Sequence, residues 1–186
     1  MIISNGLKLW LNATVSKSKD WMNLYTHSGD SKYLEPLIQQ FNPILFKYLR
    51  HQISEQDAAD ICQKTWLKII EKRHLYKEQT QFKAWLFNIA RNLMIDELRR
   101  QKKYLDCDTT EISITTHHDV EDTQVNAFRA ALAKISFEQK EALTLQFEGF
   151  SLEQIANITQ TEIETVKSRL RYAKKHLSKL LPEEHS

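Results

Sequence analysis

The sequence predicts an all-α protein made of two small helical domains joined by a flexible acidic linker. Three observations carry this reading. The 186 residues hold only three Gly and three Pro, too few breakers for a turn-rich sheet protein. Apolar residues recur in steps of three and four through two long blocks, the period of an amphipathic helix. Between the blocks, residues 104–124 lose all periodicity and carry Asp106, Asp108, Glu111, Asp119, Glu121 and Asp122, with no Lys or Arg among them.

The domain boundaries follow. Residues 1–20 form an N-terminal extension of no assigned role, 21–103 the first helical domain, 104–124 the linker and 125–183 the second helical domain. In the first domain Leu34, Leu37, Ile38, Phe41, Leu45 and Leu49 mark a helix, with Pro36 near its start and Pro43 expected to break or kink it. Ile61, Trp66, Leu67, Ile69 and Ile70 mark another. Phe82, Trp85, Leu86, Ile89, Ala90 and Leu93 keep the i, i+3, i+4, i+7 pattern of a third, reaching about Arg100. Phe82 and Trp85 sit on that stripe and are expected in the core, whereas Phe87 lies off it and is expected to be more open.

The second domain opens with two apolar stripes, Phe128, Ala131, Leu132 and Ile135, then Ala142, Leu143 and Phe147. Gly149 stops the latter helix. Ser151 with Gln154 fits a capping box for a short helix through Ala156, and Thr161 with Glu164 fits another for the last helix. Along that helix Ile163, Val166, Leu170, Ala173, Leu177 and Leu180 form a core seam. It leaves Thr165, Lys167, Ser168, Arg169, Arg171 and Lys174 off the seam. A short helix, a tight turn and a basic helix are the layout that places one helix in the major groove of DNA.

The net charge of +2 hides a segregation. Arg99, Arg100, Lys102 and Lys103 precede the acidic tract, and Lys167, Arg169, Arg171, Lys174, Lys175 and Lys179 follow it. Two basic modules on an acidic tether imply two contacts with one polyanion. Catalytic chemistry is not expected: no phosphate-binding loop, nucleophile elbow or HExxH pattern occurs. His117 and His118 with Asp119 and Glu121 are adjacent in a flexible stretch and make a poor chelate, so no metal or cofactor is expected. Cys62 and Cys107 lack CxxC or His partners and read as reduced thiols of a cytoplasmic protein. No apolar run approaches the roughly 20 residues that span a bilayer. The start, MIISNGLKLWL, lacks the basic leader of a signal peptide.

The segments DAADICQKTWLKII (57–70) and FKAWLFNIARNLMIDELRRQKK (82–103) resemble the second conserved region of sigma factors, in the form of the two-domain extracytoplasmic-function (ECF) group. EGFSLEQIA (148–156) and ETVKSRLRYAKK (164–175) resemble that family's fourth region. The resemblance spans about residues 21 to 181. It implies a sigma subunit that binds core RNA polymerase, recognises the −10 and −35 promoter elements and promotes DNA opening. On that resemblance the helix at 57–70 docks on a coiled coil of the largest polymerase subunit, with Asp57, Asp60 and Gln63 as polar contacts and Trp66 or Leu67 packing. Lys64 stands where the family usually has an acid, which removes one charge pairing. Thr65 beside it would add negative charge if phosphorylated.

The same resemblance makes the helix at 82–103 the −10 reader. Extruding a base costs a few kcal/mol, offset by a pocket and a basic surface for the single strand. Asn92 and the loop from Tyr76 to Gln81 match the pocket, and Arg91, Arg99, Arg100, Lys102 and Lys103 are the phosphate candidates. The helix at 162–179 matches the −35 reader, with Thr165, Lys167, Ser168, Arg169, Arg171 and Lys174 facing DNA. Glu164 replaces a usual Gly, and Phe137 stands near a usual Pro. The expected regulator is an anti-sigma protein that clamps two otherwise freely moving domains; no small-molecule substrate is implied. Two other readings stand beside this one: a dimeric operator-binding regulator that uses only 125–181, and a polymerase-binding adaptor that no longer reads DNA.

Overall fold

A computed structural model describes residues 21–77, 81–105 and 135–180, and every regular element among them is helical. The first unit holds α1 (residues 21–28), α2 (Glu35–Arg50), α3 (Glu55–Lys72) and α4 (Phe82–Leu105), with 3-10 turns at Ser31–Tyr33 and Arg73–Leu75. The second holds α5 (Phe137–Phe147), α6 (Leu152–Thr159) and α7 (Ile163–Leu180). The extension at 1–20, the stripe residues Phe128, Ala131 and Leu132, the paired histidines and the acidic tract from Asp106 onward lie outside the described residues.

Pro43 does not break α2, contrary to expectation; the helix runs through it for 16 residues. Proline in a helix interior costs about 3 kcal/mol. Leu37, Phe41, Leu45, Tyr48 and Leu49 are buried along the same helix, and each large side chain contributes about 1.5–3 kcal/mol. Burial therefore wins. α3 starts where Ser54, in extended backbone, accepts from the Asp57 amide at 3.1 Å, with Glu55 and Asp57 in the favourable field of the first turn.

Phe82 sits at the centre of the first core. Its ring meets Phe41 at 5.2 Å, Trp66 and Tyr76 at 6.3 Å and Trp85 at 6.4 Å. Phe87, expected to be more open, is instead fully buried, against Tyr48 at 5.1 Å and Phe150 at 4.9 Å. The reason is that α4 buries two faces, one on α2 and α3 and another on the second unit.

In the second unit Gly149 ends α5 in left-handed backbone (φ +84°). The Phe150 amide reaches back to the Leu145 carbonyl and the Gly149 amide to that of Gln146, a Schellman closure. The turn buries Leu145 and Phe150 and leaves Phe147 74% exposed, so the expected stripe through Phe147 is corrected to one through Leu145. The Ser151–Gln154 capping box forms as expected, and α6 runs on to Thr159 before Gln160 closes it at φ 53°. The Thr161–Glu164 box does not start α7. The Thr161 hydroxyl pairs with Thr159, Glu164 pairs with Lys167, and the helix begins at Ile163. Val166, Leu170, Ala173 and Leu177 are buried along the seam, with Ile163 at its rim.

The two units touch along α4. α4 lies between them, and its Phe87 packs on Phe150 while Lys83 donates to the Glu148 carbonyl and covers the Phe150 ring at 4.7 Å. Tyr48 donates to Glu141 Oε1 at 3.0 Å, and Arg91 forks onto the same carboxylate at 2.9 and 3.3 Å.

Candidate nucleic-acid interface

α6, the turn at Gln160 and α7 form the helix-turn-helix unit. The buried seam turns the opposite face of α7 outward. Thr165, Lys167, Arg171 and Lys174 are exposed there, and Ser168 is half-buried. Lys167 is partly neutralised by Glu164 at 2.6 Å, and Arg171 lies over the Tyr172 ring at 5.2 Å. Arg169 turns inward instead: it is half-buried, and its Nη1 is covered without a hydrogen-bond partner. The Glu138 carboxyl is held below the usual range by its own backbone amide and the Ser136 hydroxyl, and the Arg169 charge helps. So five of the six predicted cations and hydroxyls share the outer face, and Arg169 sits toward the start of α5.

Along α4 the predicted residues divide. Arg99, Arg100, Lys102 and Lys103 are exposed near its end. Arg99 lies 3.8 Å from Asp96, and Arg100 pairs with Glu97 at 2.7 Å, one turn away. Arg100 and then Gln101 hold the Glu97 carboxyl below its ordinary value against partial desolvation. Arg91 is not a free cation: its side chain is 13% exposed and bound to Glu141. Asn92 is exposed, yet its amide donates to Asn88 and accepts from Gln160 of the second unit. Tyr76, in the predicted pocket loop, is buried against Trp85 and Phe82; residues 78–80 lie outside the described residues.

The third predicted set lies on α3. Gln63 and Leu67 are exposed, Leu67 by 65%. Trp66 is largely core: it is 7% exposed and its indole N–H donates to Asn42 Oδ1 at 2.9 Å. Asp57 is occupied by the Ser54 hydroxyl and Gln101, and Asp60 by Lys64 on the next turn. Thr65 is fully buried and donates to the Ile61 carbonyl at 2.6 Å, so the phosphorylation considered for it has no accessible acceptor. Beside these residues α2 and α3 enclose an apolar groove of about 710 Å³, lined by Ile38, Asn42, Phe46, Cys62, Leu67 and Ile70 among others. Burial pushes the Cys62 thiol up to about 12, so it lines the groove as a neutral group.

Sequence reasoning missed the α2 side of this groove: Ile38 reads as ordinary helix stripe, and Phe46 lies off that stripe. It also missed Glu141, whose signal was an acid next to the apolar pair Ala142 and Leu143. Among the described residues no group of three His, Cys, Asp or Glu side chains is arranged to hold a metal ion. No described helix is long and apolar enough to cross a membrane.

Residues 37–104 match Sigma-70 region 2, and residues 126–177 match Sigma-70, region 4. The ECF RNA polymerase sigma factor EcfG of Rhodopseudomonas palustris (strain TIE-1) is 34% identical over 133 residues, covering 67% of this chain and 71% of that protein. The RNA polymerase sigma factor SigV of Bacillus subtilis (strain 168) is 30% identical over 133 residues, covering 71% and 78%. Among solved structures, the sigma factor RpoE in complex with the anti-sigma factor NepR from Bartonella quintana superposes with a TM-score of 0.74 at 29% identity, over 83% of this chain and 99% of that one. CnrH, solved with the cytosolic domain of CnrY, shares the fold with a TM-score of 0.66 at 21% identity, over 91% and 99%. Both sigma regions, in order and on the helices that carry the charged edges, place the chain in the ECF group of the sigma-70 family: it is an alternative sigma factor acting in transcription initiation.

Proposed function

We propose that the protein docks on core RNA polymerase through the α2–α3 groove, reads the −10 element with α4 and reads the −35 element with α7. The observation that carries this division of labour is the exposed cationic edge on each of two helices from separate units, Arg99 to Lys103 on α4 and Lys167 to Lys174 on α7. Phosphate contacts from such edges set register and affinity, and base edges supply the sequence information. On α7, Arg171 and Lys174 are the candidates for phosphates, and Thr165, Lys167 and Ser168 those for base edges. Arg169, half-buried near Glu138, stands behind this face. A bidentate Arg–guanine or a comparable polar pair discriminates by about 1–3 kcal/mol per base. On α4, Asn92 is the candidate for the flipped base, and Arg91 joins the phosphate set once its partner is released.

Leu67 and Ile70 on the groove supply apolar contact with polymerase, and Gln63, Asp60 and Asp57 supply polar contacts. The Asp60–Lys64 pair lowers the acidity of this face, so apolar contact carries more of the docking than charge does. The protein works in the cytoplasm with the polymerase as the catalyst, and itself forms no bond. RpoE of Bartonella quintana is held by an anti-sigma factor, and a regulator of that kind is proposed for this chain.

Transcription of a promoter library by core polymerase, with and without the protein, tests the reading. Start sites that depend on it, preceded by common −10 and −35 elements, are expected. The absence of any dependent start site refutes it. Footprints of symmetric half-sites without polymerase would instead support a dimeric operator-binding regulator.

A further inference from the structure

α7 carries a single acid, Glu164, among its 18 residues, and it stands in the first turn. Six cations share the helix: Lys167, Arg169, Arg171, Lys174, Lys175 and Lys179. The fold makes no use of the carboxylate as a cap. The Thr161 amide, which a capping box would give to Glu164, bonds instead to the Ala156 carbonyl at 3.0 Å. Residues three and four apart share a helix face, so Glu164 falls in one row with Ser168, Arg171 and Lys175. That row lies opposite the buried Val166, Leu170 and Ala173. The Glu164 side chain is 81% exposed and meets the Lys167 ammonium, 51% exposed, at 2.6 Å.

An exposed ion pair of this kind contributes little to stability. Its place on the helix gives it a different use. In a helix-turn-helix unit the first residues of the second helix are the ones that reach base edges. A carboxylate at that position is repelled by phosphates and needs a donor. The base edges of the major groove offer one at cytosine N4 and one at adenine N6.

We propose that Glu164 and Lys167 act as one unit that reads a single C·G base pair of the −35 element. The carboxylate accepts from cytosine N4–H, and the ammonium donates to guanine O6 and N7. The proposal rests on the reading of α7 as the −35 reader and names the base pair that its first turn selects. The spacing of the pair matches the edge it reads. Cytosine N4 donates to guanine O6 within the base pair, so a donor and an acceptor stand about 2.9 Å apart in the groove. The acceptor and donor of the protein pair stand 2.6 Å apart in the complementary order. The same base pair turned end for end sets acceptors against the carboxylate. An A·T pair offers N6–H and O4 but carries the thymine methyl where guanine has N7, so the ammonium keeps one acceptor of two. Because the two charges cancel, the unit adds discrimination and little general attraction for DNA; Arg171 and Lys174 supply that further along the helix.

The test uses the full chain with core polymerase and a promoter library randomised across the −35 element, read by sequencing the transcripts. Both side chains are at least half exposed, so the variants keep their fold, checked by thermal unfolding. Wild type is expected to prefer C·G at one position by at least about fivefold. Glu164→Ala is expected to lose that preference there and keep those at other positions. Glu164→Gln is expected to move it to A·T, since a side-chain amide pairs with adenine N6 and N7. Lys167→Ala is expected to weaken the preference at the same position, and the double variant to be no worse than Glu164→Ala alone. A charge that only favours the helix terminus would move none of these preferences. A wild type without a C·G preference, or a preference that survives Glu164→Ala, overturns the proposal. Effects of Glu164→Ala and Lys167→Ala at different positions overturn the single unit. Selection at the remaining −35 positions keeps α7 as the reader in those cases, and a wild type that selects no base at any −35 position sinks that reading as well.

Discussion

Replacing Leu67 with Ala tests the docking surface without disturbing the fold. Leu67 is 65% exposed on the rim of the α2–α3 groove. Full burial of a leucine contributes about 1.5–3 kcal/mol, so docking that covers the exposed two-thirds draws about 1–2 kcal/mol from this side chain. Truncation at Cβ removes most of that, and the dissociation constant for core polymerase should rise about 5- to 30-fold. Fluorescence anisotropy of labelled protein titrated with core enzyme measures it directly. Thermal unfolding should be unchanged, because a side chain this exposed adds little to the core. Trp66→Ala is a poorer probe: Trp66 is 7% exposed, bonded to Asn42 and packed on Phe82, so its loss would damage fold and docking together. An affinity within twofold of wild type for Leu67→Ala would show that polymerase does not use this groove.

Three further outcomes follow from the same structure. Phe82→Ala removes the ring at the centre of the first core and should cost about 3–5 kcal/mol in urea unfolding; a loss below about 1 kcal/mol would contradict the packing. Arg171→Ala should weaken promoter binding about equally across −35 sequences and reduce the slope of log affinity against log salt by about one, whereas a sequence-selective loss would make it a base contact instead. Burial, with the Glu141 carboxylate beside it, holds the Tyr48 hydroxyl well above its ordinary value of 10.0. A raised folded value means that its contribution is whole below about pH 10 and is lost as pH climbs beyond, since the exposed tyrosine ionises first. Small-angle scattering between about pH 9 and about pH 11 should therefore show an alkaline expansion that is smaller in Tyr48→Phe, and an identical expansion in both proteins would refute the assignment.

Local order was legible in the residues because it depends on local chemistry. Ser151 and Gln154 satisfy each other's backbone partners within one turn, and Gly149 is the residue that tolerates φ +84° at no steric cost. Period and composition therefore gave the helices, the stop before Phe150 and the basic outer face of α7. The departures from expectation have long-range or turn-level causes. Phe87 and Arg91 are decided by the second unit packing on α4, whereas Pro43 is overridden by the burial along α2 and Phe147 is turned out by the closure at Gly149. A stripe analysis assigns one buried face per helix, and α4 has two.

The sequence by itself determined that this is an all-helical sigma factor with two cationic edges and the approximate span of most of its helices, because helical period, capping and charge order act within a few residues. Only the tertiary structure decided where those edges point. It alone brought Tyr48, Glu141 and Arg91 to one buried carboxylate from positions as far as 93 residues apart, and it alone opened a groove between α2 and α3. Contacts across such separations depend on the packing of whole helices, and no short run of residues encodes them.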